Sequence, residues 1–213
     1  MSMKRTEHRE EKWIFPFVKY APSEEKTNLP LIIQLHGAGE RGSGKDDLDK
    51  VDVHGFSAYL KEAEHNCIVA MPQCPENSFW AARVESIIGF IGQLIKEYNV
   101  DEDRVYLTGL SMGGYGTWFT AMARPDLFAA IAPVCGGGMA WNACVLNMPV
   151  WAFHGADDNV VSPVQSDEMV EKLKLSNSDV TYTRLDGVGH FVWKHTYNKE
   201  LMEWLLSKKR MKR

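Results

Sequence analysis

Three polar side chains in this sequence fall in an order that suits nucleophilic acyl transfer. Ser111 is the centre of Gly109-Leu110-Ser111-Met112-Gly113, a G-x-S-x-G pattern. Acidic residues follow at Asp157 and Asp158, and a histidine at His190. A serine hydroxyl attacks a carbonyl only when a base removes its proton. That base is usually an imidazole held by a carboxylate. In strand-turn-helix hydrolases the chain order is serine, acid, histidine, which is the order here.

The glycines have a steric reason. A serine at the apex of a sharp strand-to-helix turn leaves no room for side chains two positions before and after it. The competing reading is an ordinary βα turn with Ser111 as a helix N-cap. The flanks favour the elbow, because Val105-Tyr-Leu107 reads as a buried strand and Gly113–Arg124 as a helix ending before Pro125.

Asp157 and Asp158 follow a strand-like run at Val150–Phe153, and the residue types alone do not separate them. His190 follows Val180–Leu185 through Asp186-Gly-Val-Gly189. His195 is the rival base, but it falls where the chain enters its last helix. His154, at the end of its strand beside the acids, reads as structural.

A further segment, Leu31-Ile-Ile-Gln-Leu35, is apolar and runs into His36-Gly-Ala-Gly-Glu-Arg-Gly42. A Gly-rich loop here presents backbone amides to a developing oxyanion. One donor comes from this loop and the other from the residue after the nucleophile, which assigns Ala38 and Met112. Glu40 and Arg41, in the same loop, either bind a polar substrate or brace the loop, and bracing is favoured. Trp80 and Trp193 are candidate pocket walls, or simply buried area. The loop also contains Gly39-Glu-Arg-Gly-Ser-Gly44-Lys45-Asp46, a near match to a phosphate-binding loop. Asp46 stands where Ser or Thr would hold magnesium, so a nucleotide binder is the weaker rival. A hydrolase fold that binds without catalysing is the other alternative.

These segments alternate with helical patterns. Further strand-like runs are Ile14–Tyr20, Cys67–Met71 and Ala129–Val134. Arg83–Tyr98 carries an apolar stripe at helical spacing. Ser162-Pro163-Val164-Gln165 reads as an N-cap followed by proline at the first helical position. Lys199–Lys208 closes the series. The pattern predicts an α/β fold, a mostly parallel central sheet with helices on both faces and its site at the carboxyl ends of the strands. Continuous apolar runs predict strands buried on both faces.

With 213 residues and 45% hydrophobic content, one domain over residues 1–213 is expected, with flexible ends at 1–12 and 208–213. A net charge of -4 argues against a nucleic-acid surface. No apolar run reaches the length of a membrane span. The charged N-terminal segment lacks a secretory apolar core, so a cytoplasmic chain is expected. The four cysteines form no C-x-x-C pair and read as free, mostly buried thiols. No metal-ligand spacing is present, so no metal is expected.

The segments Leu35-His-Gly-Ala-Gly-Glu-Arg-Gly42, Met71-Pro-Gln-Cys-Pro75, Gly109–Gly114, His154-Gly-x-x-Asp158-x-x-Val161 and Gly189-His190-x-x-Trp193 span nearly the whole chain. Together they resemble the esterase and phospholipase/carboxylesterase-like branch of the α/β-hydrolases, including predicted peptidases and relatives of feruloyl and acetyl-xylan esterases. The resemblance implies Asp158 rather than Asp157 as the acid, no cofactor, and hydrolysis of a carboxylic ester or thioester, with peptidase activity as a further option. Little sequence is left between the strands for a large lid. An open site suits a small-molecule or polymer-linked ester.

Overall fold

The computed structural model describes residues 3–24, 26–177 and 179–210. Eight strands form one sheet: β1 (Lys4–His8), β2 (Phe17–Ala21), β3 (Leu31–Leu35), β4 (Ile68–Pro72), β5 (Val105–Leu110), β6 (Ala130–Val134), β7 (Val150–Gly155) and β8 (Val180–Leu185). Their spatial order is β1-β2-β4-β3-β5-β6-β7-β8. β1 and β2 pair antiparallel, as do β2 and β4, and every later pairing is parallel. The helices are α1 (Ser57–Glu62), α2 (Val84–Tyr98), α3 (Met112–Ala123), α4 (Val164–Lys174), α5 (Trp193–Thr196) and α6 (Lys199–Ser207). Among the described residues no helix is long and apolar enough to cross a membrane.

The sheet divides the core into two halves. Leu31, Ile33 and Leu35 of β3 point to one face, with Phe90, Ile91 and Leu94 of α2 and Trp118 of α3. Ile32 points to the other, with Tyr106, Tyr197, Leu201 and Leu205. This is the period-2 alternation of a strand covered on both sides. Burying each of the α2 apolar side chains contributes about 1.5–3 kcal/mol. α2 stops at Asn99, whose φ of 45° is a left-handed cap.

Four expectations need correction. Over its described residues, 3–12, the expected loose end at 1–12 is not loose, and residues 1–2 lie outside the described residues. Lys4–His8 is an edge strand, tied down where Arg5 Nε donates to Asp52 Oδ2 at 2.6 Å and Tyr20 Oη donates to the same oxygen at 2.9 Å. At the other end, Arg210 is held by Asp103, its backbone N–H donating to the Asp103 carbonyl at 2.8 Å, and residues 211–213 of the expected loose end lie outside the described residues. β8 is not buried on both faces, because it is the outermost strand and pairs with β7 alone. Ser162 does not cap α4 through its side chain. Pro163 occupies the cap position, and the Ser162 carbonyl accepts from Gln165 N–H at 3.0 Å.

Candidate active site

Ser111 stands between β5 and α3 with φ 54° and ψ -115°, a left-handed conformation that costs a non-glycine residue energy. The neighbouring backbone enforces it. Ser111 N–H donates to Val134 O at 2.9 Å, and a side chain on Gly113 would lie 2.1 Å from Leu35 O. The turn therefore projects the Ser111 hydroxyl above the carboxyl edge of the sheet.

The loops after β7 and β8 meet it there. Asp158 is buried whereas Asp157 is exposed. Asp158 Oδ1 accepts the amides of Val160 and Val161, both at 2.9 Å. Its Oδ2 lies 2.7 Å from His190 Nδ1, and His190 Nε2 lies 3.0 Å from Ser111 Oγ. A carboxylate accepts only, so Nδ1 carries a hydrogen, and in the neutral ring Nε2 is the nitrogen left to accept from Ser111. Burial alone would push the Asp158 carboxyl up. The His190 hydrogen bond and the two amides more than offset this and keep it below the ordinary carboxylate range. His195 lies exposed on α5.

The loop after β3 runs beside Ser111, since a side chain on Gly37 would come within 3.8 Å of Ser111 Cβ. Ala38 opens a 3₁₀ turn, Ala38–Glu40, and Met112 opens α3. Amides in a first helical turn have no intrahelical acceptor. Both expected oxyanion donors thus occupy first-turn positions in segments adjoining Ser111.

His36 braces this loop, a role that the sequence reading gave to no residue before Glu40. Its Nδ1 donates to Gly37 O at 2.6 Å, its Nε2 accepts from Cys74 N–H at 2.9 Å, and its carbonyl accepts from Trp80 Nε1 at 2.9 Å. Burial pushes the imidazole down to about 4, so the ring is neutral. Trp80 is therefore not a pocket wall. It is fully buried beneath the loop, with its ring edge-on to His36 at 5.0 Å. Arg41 also braces, donating to the carbonyls of Ala38 at 2.9 Å and Ser78 at 3.3 Å. Glu40 lies 3.8 Å from His54 Nε2 and 3.9 Å from His36 Nδ1, too far for a hydrogen bond to either. Trp193 is nearly buried and stands edge-on to His190 at 5.4 Å, backing that ring.

Two arrangements were not anticipated. Cys135, just after β6 with φ 40°, brings its sulfur within 4.8 Å of an Asp158 carboxylate oxygen and a His190 ring nitrogen. Burial pushes its thiol up to about 12. His54 stacks at a tilt on Trp193, with ring centroids 5.3 Å apart. The segment that resembles a phosphate loop is built differently from one. The Asp47 carboxylate accepts from Ser43 N–H, and a 3₁₀ turn at Leu48–Asp52 follows where a phosphate loop needs a helix. All four cysteines are free, with Cys67, Cys74 and Cys135 buried and Cys144 exposed.

Comparison with known proteins finds esterases of the same fold. A thermostable esterase of known structure is 33% identical, superposes with a TM-score of 0.79, and is matched over 98% of this chain and 64% of its own. A feruloyl esterase module from Clostridium thermocellum, in complex with sinapinate, has the same fold at 14% identity, with a TM-score of 0.77 over 100% of this chain and 91% of its own. The bifunctional acetylxylan esterase/xylanase XynS20E of Neocallimastix patriciarum is 32% identical over 67% of this chain. Poly(3-hydroxyalkanoate) depolymerase C of Paucimonas lemoignei is 25% identical over 87% of it. The chain spans 21% of the first relative's length and 55% of the second's. Residues 80–213 match the PET hydrolase-like family. With more than half of its length matched and an eight-stranded α/β-hydrolase sheet beneath the site, the chain belongs to the PET hydrolase-like family.

Proposed function

We propose that residues 1–213 act as a single α/β-hydrolase domain with serine carboxylesterase activity. The observation that carries this is the relay from Asp158 Oδ2 to His190 Nδ1 at 2.7 Å and from His190 Nε2 to Ser111 Oγ at 3.0 Å. His190 takes the Ser111 proton as Oγ attacks the ester carbonyl. The amides of Ala38 and Met112 stabilise the tetrahedral oxyanion, each contributing about 3 kcal/mol. His190 then protonates the departing alcohol. Water, deprotonated by the same nitrogen, releases the acid and restores Ser111.

The substrate we propose is an ester of a bulky or polymeric alcohol. Among the described residues, the large apolar side chains that remain exposed, Ile14 and Leu175 aside, follow the carboxyl ends of parallel strands. Val53, Phe79, Trp141, Val160 and Phe191 all lie on connections that leave the carboxyl ends of parallel strands, and Val164 opens the helix after one of them. An apolar rim of this kind offers contact area to a chain or an extended surface. The relatives named for acetylxylan, feruloyl and polyhydroxyalkanoate esters are consistent with such a substrate.

The test is labelling by a fluorophosphonate probe together with hydrolysis of p-nitrophenyl acetate, comparing the wild type with Ser111→Ala. Labelling and turnover are expected in the wild type and absent from the folded variant. Turnover retained in the variant would remove Ser111 from the mechanism. A folded, unlabelled wild type would favour a binding protein.

A further inference from the structure

Glu40 is held by its backbone and not by its carboxylate. Its carbonyl accepts from Gln73 Nε2 at 3.1 Å, and the 3₁₀ turn Ala38–Glu40 fixes its place in the loop beside Ser111. The side chain is only 13% exposed. Oε2 is sealed from solvent and has no hydrogen-bond partner. The nearest donors are engaged elsewhere. His36 Nδ1, 3.9 Å from Oε2, gives its hydrogen to Gly37 O. Arg41, the next residue, donates to the carbonyls of Ala38 and Ser78. A buried acceptor without a donor is costly, and one kept in a folded chain calls for an explanation.

Its position supplies one. A methyl on Gly37 would lie 3.1 Å from Glu40 Oε2 and 3.8 Å from Ser111 Cβ, so the carboxylate and the serine stand on either side of one small volume. The other oxygen, Oε1, lies 3.8 Å from Nε2 of His54, a side chain one-third exposed. The His54 ring lies against Trp193 at 5.3 Å, and Trp193 is edge-on to His190 at 5.4 Å. The gap between Glu40 and His54 thus belongs to the wall that joins the loop after β3 to the loop of His190. Its two polar atoms are too far apart to bond each other, but one oxygen set beside the line between them can sit about 2.8 Å from both. A carboxylate accepts only, so whatever fills the gap must donate to Oε1. A hydroxyl meets that need, and its oxygen can take the His54 hydrogen in the tautomer that places it on Nε2. An ether, a carbonyl or an alkyl group cannot donate.

We infer that Glu40 is a specificity-determining residue, which binds a free hydroxyl of the substrate close to the scissile ester. The inference rests on the esterase reading above. It narrows that reading to esters that keep a free hydroxyl on the alcohol half or on the acid half.

The experiment compares kcat/KM within two matched pairs of esters, each value divided by the rate constant of that ester for alkaline hydrolysis. 2-Hydroxyethyl benzoate and propyl benzoate exchange a hydroxyl for a methyl in the alcohol half. Ethyl 3-hydroxybutyrate and ethyl 3-methylbutyrate make the same exchange in the acid half. The wild type is expected to prefer the hydroxyl member of one pair by about tenfold or more, and that pair names the half that reaches Glu40. Glu40→Met keeps the length of the side chain and removes both acceptors. In the folded variant the preference is expected to fall to about twofold or less. A residue that only braces the loop would lower both members together, so an unmoved ratio would overturn the inference. Equal turnover within both pairs by the wild type would overturn it without any variant. Cleavage of none of the four esters would remove the esterase reading and this inference with it, whereas cleavage without preference removes the inference alone.

Discussion

The carbonyl oxygen of Gly113 occupies the space that a side chain on Gly109 would need: a methyl there would lie 2.4 Å from it. The last turn of β5 and the first turn of α3 are thus in backbone contact, with Ser111 lifted between them. Backbone cannot yield as the end of a side chain can. Gly109→Ala is therefore expected to lower stability by about 2 kcal/mol or more and to lower kcat, read by chemical denaturation and by ester turnover. A variant as stable and active as the wild type would contradict the contact.

Asp158 has one oxygen on two amides and the other on His190. In Asp158→Asn the amide oxygen keeps the two backbone donors, and the NH₂ faces His190 Nδ1. That histidine must then place its own hydrogen on Nε2, where the base should be bare. The expected loss in kcat is about 10⁴-fold, with little change in melting temperature. A loss below about tenfold would show that another group holds the imidazole.

His36 gives the fold a pH dependence with a definite sign. In the folded chain burial pushes its imidazole down to about 4, whereas an unfolded histidine titrates near 6.5. Between those values the unfolded state binds the proton and the folded state does not. Stability is full above about pH 6.5 and falls as the pH is lowered toward 4, by about 3 kcal/mol from this ring. Urea denaturation at a series of pH values measures the slope. His36→Gln should flatten it, and an unchanged slope would assign the acid sensitivity elsewhere.

The cysteines divide by access. Burial pushes the Cys67 and Cys135 thiols up to about 12 and that of Cys74 up to about 11, whereas Cys144 is exposed on the 3₁₀ turn Ala140–Val145. An aromatic disulfide reagent should titrate one thiol in the native chain and four after unfolding. Rapid reaction of Cys135 would mean that the floor of the site opens.

The parts of this molecule legible in the sequence are those dictated by backbone geometry. The bounds of β3 and β8 coincide with the expected runs Leu31–Leu35 and Val180–Leu185, and the turn at Ser111 follows from two glycines and their flanks. The rest depended on packing that no local pattern records. β1 reads Lys-Arg-Thr-Glu-His, which has no apolar face, and it is held at the edge by Asp52, more than forty residues away. Trp80 carries the same letter whether it walls a pocket or supports a loop, and its full burial and its hydrogen bond to His36 O distinguish the two. Asp157 and Asp158 differ by one step along the chain, which turns one carboxylate outward and the other against His190. The contribution of His36 was hidden because its three partners come from Gly37, Cys74 and Trp80.

Ser111 and His190, the proposed nucleophile and base, are carried by strands of unequal security. β5 has neighbours on both sides, but β8 ends the sheet and is half-exposed along its length. Local opening begins where ladders are single and burial is thin. On heating, the loop carrying His190 should separate from Ser111 while the centre of the sheet is still closed. Catalysis would then have a lower heat limit than the fold, and that limit would be set by how firmly β8 is held to β7.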